Sequence, residues 1–168
     1  MVGTPNIPRP NFKNQFIIDR QSTKDIAALI VKGIRESLPL AEKSKNYFLG
    51  ETDKQTLKNL WTFLKKNVRY KAEPVTNQSV KSLARIYQDK NIGNDCKHFS
   101  SFIAVYCIKH GIPVMLRLVS FKPNDPTPTH IYPVAKIKGK EIPVDAVIDY
   151  FGINPPGVKY KKDINLNF

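Results

Sequence analysis

GNDCKHFSSFIAVYCIKHGIPVMLRLVSF, residues 93–121, carries the passage from a helix to a strand around which the rest of the chain can be placed. Asp95 is a favoured N-cap type, because its carboxylate can accept a first-turn backbone N–H, and this puts Cys96 at the helix start. Phe99, Phe102, Ile103 and Tyr106 follow at helical spacing, and the pattern reaches His110. Gly111 suits the left-handed residue that closes a helix, and Pro113 forbids its continuation. VMLRLVSF, 114–121, then reads as a strand.

Working outward, KPNDPTPT is a loop, and HIYPVAKI (130–137) and EIPVDAVI (141–148) are two strands joined around Lys138-Gly139. Upstream, Ser22 and Asp25 make a capping-box-like start, followed by Ile26, Leu29, Ile30 and Ile34 in a helix that Pro39 should end at Leu38. A second helix should start at Thr52 with Gln55 and run to Asn67, with Leu57, Leu60, Trp61 and Leu64 on its core face. SVKSLARIYQ reads as a short helix, and DKNIGN as turns. Helices first and an antiparallel meander later is an α+β pattern, with the helix that begins at Cys96 packed against the sheet. The expected organisation is a Pro-rich arm over 1–21, one domain over 22–150, and an irregular basic tail over 151–168.

The composition is that of a globular chain, with 168 residues, 41% hydrophobic and 24% charged, enough for one domain with a real core. No apolar run approaches the roughly 18 residues of a membrane span, and MVGTPNIPRPNF lacks a signal-peptide core, so the expectation is a protein that is cytoplasmic at synthesis. Two cysteines make no disulfide framework. On one helix Cys96 and Cys107 would lie about 16 Å apart, far beyond disulfide reach. No CxxC or HxxxH pair points to a metal, and no cofactor is implied. The net charge of +13, from 27 Lys+Arg against 14 Asp+Glu, favours anionic partners such as nucleic acid or an acidic polymer. The lysines are scattered without Gly-aromatic interleaving, which speaks against dedicated RNA recognition.

A cysteine attacks as thiolate, so a reactive one needs positive potential, and a helix N-terminus supplies it. Its unpaired N–H groups could also hold a developing oxyanion. A base must then come within hydrogen-bond reach, with a third group to orient it. His98 lies about 200° round the helix from Cys96, and His110 sits about 20 Å away in the last turn, where a cation suits the dipole. That leaves His130, which opens a strand. Pairing about Lys138-Gly139 joins residues whose numbers sum to 277, so Asp145 faces position 132 and becomes a diagonal neighbour of His130. This holds only if the hairpin loop has an even number of residues. Cys107 and Trp61 read as core.

With Cys96, His130 and Asp145 in place, the chain resembles the transglutaminase-like superfamily, relatives of the papain-type cysteine proteases. The resemblance rests on GNDCKHFS, KHGIPVMLRLVSF, THIYPVA and IPVDAV, with LWTFLKKNVRY and VKSLARIYQDK upstream, and covers residues 55–150. The family usually has an acidic residue two places after the cysteine, where this chain has His98. VIDYFGINPPGVKYKKDI, 147–164, is similar to small bacteriophage-encoded members, which implies a bacteriophage and virion context. The resemblance implies a papain-like core, Cys96 as nucleophile, His130 as base and Asp145 as orienter, with Asp149 as the fallback. The backbone N–H of Cys96 would be one oxyanion donor, with Gln88 and Tyr70 as candidates for a second.

The implied activity is acyl transfer from an amide through a thioester. Hydrolysis in the manner of a protease or amidase is favoured over transglutaminase crosslinking, because a one-domain form has no obvious module for a second substrate. Expected substrates are protein or peptide amides, with cell-wall peptide suited to the basic surface. The alternative is a structural virion protein that keeps the fold without turnover, tied to its neighbours by Pro-rich arms.

Overall fold

The computed structural model describes residues 3–11, 15–18, 23–74 and 76–166. The elements run β1 (Gln15–Ile18), α1 (Thr23–Ala41), α2 (Lys45–Phe48), α3 (Asp53–Asn67), β2 (Gln78–Lys81), α4 (Leu83–Gln88), α5 (Cys96–Lys109), β3 (Val114–Ser120), β4 (His130–Ile137), β5 (Lys140–Pro143) and β6 (Tyr160–Asn165). The class is α+β. β5, β4, β3 and β6 form one antiparallel sheet in that order, and β1 pairs antiparallel with β2 in a second.

α5 is the centre of the molecule. Lys97 through Cys107 are all buried, as expected of a helix apolar on most of its circumference. Leu116 and Leu118 of β3 and Ile131 and Ala135 of β4 share its core on the sheet side, while Ile30 and Ile34 of α1, Leu60 and Leu64 of α3 and Ile86 of α4 share it on the helical side. Phe48, Phe63, Phe102 and Tyr106 meet ring to ring inside it.

Several boundaries follow the local chemistry. Thr52 caps α3 by accepting the Gln55 N–H, and α3 ends at Asn67. Gly111, with φ 68°, closes α5. Lys138 and Gly139, with φ 49° and 76°, make the two-residue turn that matches strand twist, and it fixes the β4–β5 register at Val134↔Pro143 through Ile137↔Lys140.

Others depart from the expectation. Ser22, expected to start the first helix, lies outside the described residues. α1 passes through Pro39 to Ala41, because a proline in the last turn forfeits only the single bond to the Arg35 carbonyl and Ala41 is buried in the core. SVK is strand, not helix: Ser82 caps α4 by accepting the Arg85 N–H, so helix begins only after it. β5 ends at Pro143, which has no N–H for the ladder, although Val144 N–H still donates to the Pro133 carbonyl at 2.8 Å.

The described residues of the expected arm and tail pair with or pack on the rest of the chain. β1 pairs with β2, Ile7 packs on the core, and the Tyr47 hydroxyl donates to the Gly3 carbonyl. β6 covers the far edge of β3, where the buried Arg117 guanidinium holds Asp163 through Nε–Oδ1 at 2.8 Å and Nη2–Oδ2 at 2.9 Å. The same guanidinium reaches Glu141 of β5, so one cation ties both edges of the sheet to its centre.

Candidate active site

The start of α5 is built as a reciprocal cap. Asp95 Oδ1 accepts the His98 backbone N–H. With His98 Nε2 donating to the Ser79 carbonyl at 3.0 Å, its Nδ1 accepts the Asp95 backbone N–H at 3.2 Å. A histidine therefore fills the place a glutamate takes in a capping box. It is buried under β2 and turned away from Cys96.

Lys97, next in the chain after Cys96, is also buried. Its ammonium donates to Glu73 Oε2 and Gln78 Oε1, each at 2.8 Å, and to Asp95 Oδ2. Burial pushes the Asp95 carboxyl up, but His98 and Lys97 pull it down further, to about 2. Glu73 in turn accepts the Ser79 backbone N–H and hydroxyl. Glu73, Gln78 and Ser79 are thereby clamped to the first turn of α5.

Cys96 occupies that first turn, half-buried and free. Ser100, one turn on, lies with its hydroxyl 2.7 Å from the Cys96 carbonyl and 3.0 Å from the Ile131 carbonyl, so it joins the cysteine's turn to the strand that carries the histidine. His130 opens β4 with its ring between Phe121 and Tyr132. Its Nε2 donates to Asp145 Oδ2 at 2.6 Å, which leaves Nδ1 for the thiol of Cys96. Burial alone would lower the imidazole. Hydrogen bonding to Asp145 and to Cys96, with their charges, more than reverses this and raises it to about 9.

Asp145 is brought to His130 by a route the ladder does not supply. It sits two residues beyond β5, where its Oδ1 accepts the Val147 backbone N–H at 2.9 Å in an Asx-type turn. Its backbone carbonyl accepts the indole N–H of Trp61 at 2.9 Å. Trp61 packs against Phe151 at the core's margin, and it also positions Asp145, a role that helical spacing alone could not reveal.

The remaining candidates separate clearly. The Asp149 carboxylate is exposed and paired with Lys65 at 2.7 Å, so it is no fallback for Asp145. Gln88 ends α4 with its side chain exposed. His110 caps the far end of α5 with Nε2 donating to the Lys45 carbonyl, and burial lowers its pKa, which corrects the expectation of a dipole-stabilised cation there. Cys107 is fully buried in the core, which raises its thiol pKa. Tyr70 does come to the site, set beside the helix start by an isolated bridge to Asn94.

A cavity of about 120 Å³ opens beside Cys96 and His130. Its walls are largely apolar, from Ile26 and Ile30 of α1, Leu118 of β3, and Pro128 and Ile131 on either side of His130. Among the described residues no group of three or more His, Cys, Asp or Glu side chains could hold a metal ion. A thiol at a helix N-terminus, an imidazole beside it and a carboxylate behind the imidazole make an arrangement that can serve nucleophilic chemistry.

The fold has a relative among solved structures. A crystal structure described as "a Putative Cysteine Protease from Cytophaga hutchinsonii" superposes with a TM-score of 0.51 at 16% identity, covering 88% of this chain and 54% of that one. At that identity the likeness concerns the fold, and the chain spans about half the length of the protein it matches. No protein-family model matches the sequence, and no curated protein does.

Proposed function

We propose that the chain is a transglutaminase-like cysteine enzyme that transfers an acyl group from an amide through a thioester on Cys96. The observation that carries this reading is the 2.6 Å bond from His130 Nε2 to Asp145, which leaves Nδ1 of the same ring for Cys96. Three residues from a helix start, a strand start and a loop meet in the order nucleophile, base and orienter, and a partly exposed thiol beside a cavity gives a substrate access.

The steps follow from the geometry. Cys96 Sγ bonds to the amide carbonyl carbon with its proton held on His130 Nδ1, and the carbonyl oxygen becomes an oxyanion near the Cys96 backbone N–H. The C–N bond breaks as the imidazolium returns its proton to the leaving amine, and a thioester remains. Water, deprotonated by His130, then attacks the thioester and releases a carboxylic acid and the thiol. An amine in place of water would give a new amide. Hydrolysis is the first reading, because water reaches a half-exposed thiol without a second binding site. The apolar walls of the cavity suit a peptide side chain of aliphatic type, which makes a protein or peptide amide the first substrate class to try.

The test is iodoacetamide labelling of each cysteine against pH, read by mass spectrometry, with His130→Ala beside the wild type. Cys96 should label rapidly at neutral pH while the buried Cys107 stays protected in both proteins, and the histidine substitution should slow the labelling of Cys96. Equal labelling in the two proteins would sink the reading.

A further inference from the structure

A second cleft, of about 470 Å³ against about 120 Å³ for the cavity beside Cys96, opens between the β4–β5 turn and the first turn of α3. Ile137 and His130 stand at opposite ends of β4, so about 23 Å of strand separates this cleft from the histidine. Ile137, Ile142 and Phe151, all half-buried against the core, form its floor. Lys54 of α3 and Lys138 and Lys140 of the hairpin, all exposed, stand around it. None of these three ammonium groups has a hydrogen-bond or ion-pair partner among the described residues. Glu141 also lines the cleft, but its carboxylate is held by the Arg117 guanidinium at 3.1 Å. Glu51 and Asp53, the acidic neighbours of Lys54 in the chain, do not line it.

Lys138 separates this cleft from an ordinary basic surface. Its φ is 49°, the one positive value outside glycine among the described residues. A two-residue turn with positive φ at both positions favours Asn or Gly at the first, because Cβ crowds the following carbonyl there. Lysine therefore occupies the turn at a backbone cost, and nothing inside the fold offsets it, since the ammonium has no partner. The three charges come from two elements around an apolar floor. A compact anion such as phosphate would meet one or two of them and leave that floor bare. An extended chain with several carboxylates and one apolar side chain would use all of it.

We propose that this cleft docks an acidic peptide segment of a partner protein. Its carboxylates lie against Lys54, Lys138 and Lys140, and one aliphatic or aromatic side chain packs on Ile137, Ile142 and Phe151. The site is separate from the thiol and does not depend on the acyl-transfer reading. The lysines attract the segment and weaken with added salt, while the apolar contact fixes its register.

The probe is a fluorescein-labelled peptide with glutamates on either side of a central Leu-Phe pair, followed by anisotropy with the full chain. Lys138→Glu together with Lys140→Glu should weaken binding by roughly tenfold or more. Lys161→Glu together with Lys162→Glu makes the same change in net charge on β6, at the opposite edge of the sheet, and should leave binding within about twofold. Lys138→Asn suits the turn, so it should melt no lower than wild type and still bind the peptide several-fold more weakly. A probe with Gly-Gly in place of Leu-Phe should bind roughly tenfold more weakly. No binding to the wild type, or an equal fall in both charge-reversal pairs, overturns the proposal, the second because the charge would then act over the surface at large. A Gly-Gly probe that binds as tightly removes the apolar floor and overturns it as well. Displacement of the peptide by inorganic phosphate or a single-stranded oligonucleotide at lower concentration overturns the peptide class and assigns the lysines to phosphate.

Discussion

The indole N–H of Trp61 donates to the backbone carbonyl of Asp145 at 2.9 Å, joining residues 84 apart in the chain. α3 thus holds the loop that carries the carboxylate facing His130. Trp61→Phe should keep the contact with Phe151 and lose the hydrogen bond, at a cost of about 1 kcal/mol, or a few degrees in Tm for a chain of this size. The rate of acetylation of Cys96 by p-nitrophenyl acetate should fall several-fold more than that stability loss accounts for, because Asp145 is freed to drift from the imidazole. A melting curve and an acetylation progress curve on the same sample check both. A variant with lowered Tm and wild-type acetylation would show that the indole only packs.

Asp145 sets the charge of His130 over a pH range that can be read directly. Burial lowers the ring's pKa, and hydrogen bonds to Asp145 and Cys96 raise it to a net value of about 9. Because the folded value lies above the ordinary ~6.5, the interaction stabilises the fold fully below about pH 6.5 and is lost as pH rises through about 9. The imidazolium needed to protonate a leaving amine is lost over the same rise, so the alkaline limb of the rate should fall near pH 9. Asp145→Asn should move that limb down by roughly 1 to 3 pH units. Proton NMR of the His130 ring against pH measures it, and an unmoved midpoint would assign the raised value to Cys96 alone.

The parts of this site that could be read in the sequence are those set by local chemistry. Asp95, Gly111 and Pro113 delimit α5 through caps and a missing N–H, and Lys138-Gly139 fixes a hairpin register because the turn admits only certain residues. Asp145 was reached by extending that register, but the chain leaves the ladder at Pro143 and an Asx-type turn delivers the carboxylate instead. β6 was illegible because its buried partner is a salt bridge: YKKDIN has no apolar alternation, and Asp163 makes sense only once Arg117 is known to be buried across from it. β1 and β2 are four-residue strands, too short for a period to show. The Trp61 bond could not be read from spacing, since an indole on a core face looks the same whether or not its N–H has found a carbonyl.

The Lys97 ammonium, next in the chain after Cys96, is shared by Glu73 and Asp95. Lys97→Met would leave two carboxylates close together without it, a change of the kind that costs about 3–5 kcal/mol for a buried pair. Asp95 titrates at about 2, below its ordinary range, so its contribution is present above pH ~3.9 and lost as pH falls through about 2. Without Lys97 that loss should begin at higher pH. Circular dichroism between about pH 2 and 6 should show acid unfolding displaced upward in the variant, and adding Glu73→Gln should recover part of the stability by removing one of the two charges. Coincident acid transitions in wild type and Lys97→Met would remove Lys97 as the counter-charge.

His98 stands in the place a glutamate takes in a capping box, and the geometry says what a glutamate would do there. A glutamate there could still accept the Asp95 backbone N–H, as in an ordinary capping box. It could not donate to the Ser79 carbonyl, which His98 Nε2 reaches at 3.0 Å in a buried setting. It would also put a third carboxylate beside Asp95 and Glu73, which share one ammonium. His98→Glu should therefore destabilise the fold by roughly 1–3 kcal/mol, the cost of an unsatisfied buried polar group. His98→Gln offers one acceptor and one donor from the same side chain and should recover most of that loss. Urea unfolding at neutral pH ranks the three proteins. The order expected is wild type, then glutamine, then glutamate, and a glutamate variant as stable as wild type would mean that the bond to Ser79 contributes nothing and that the cap alone decides the residue.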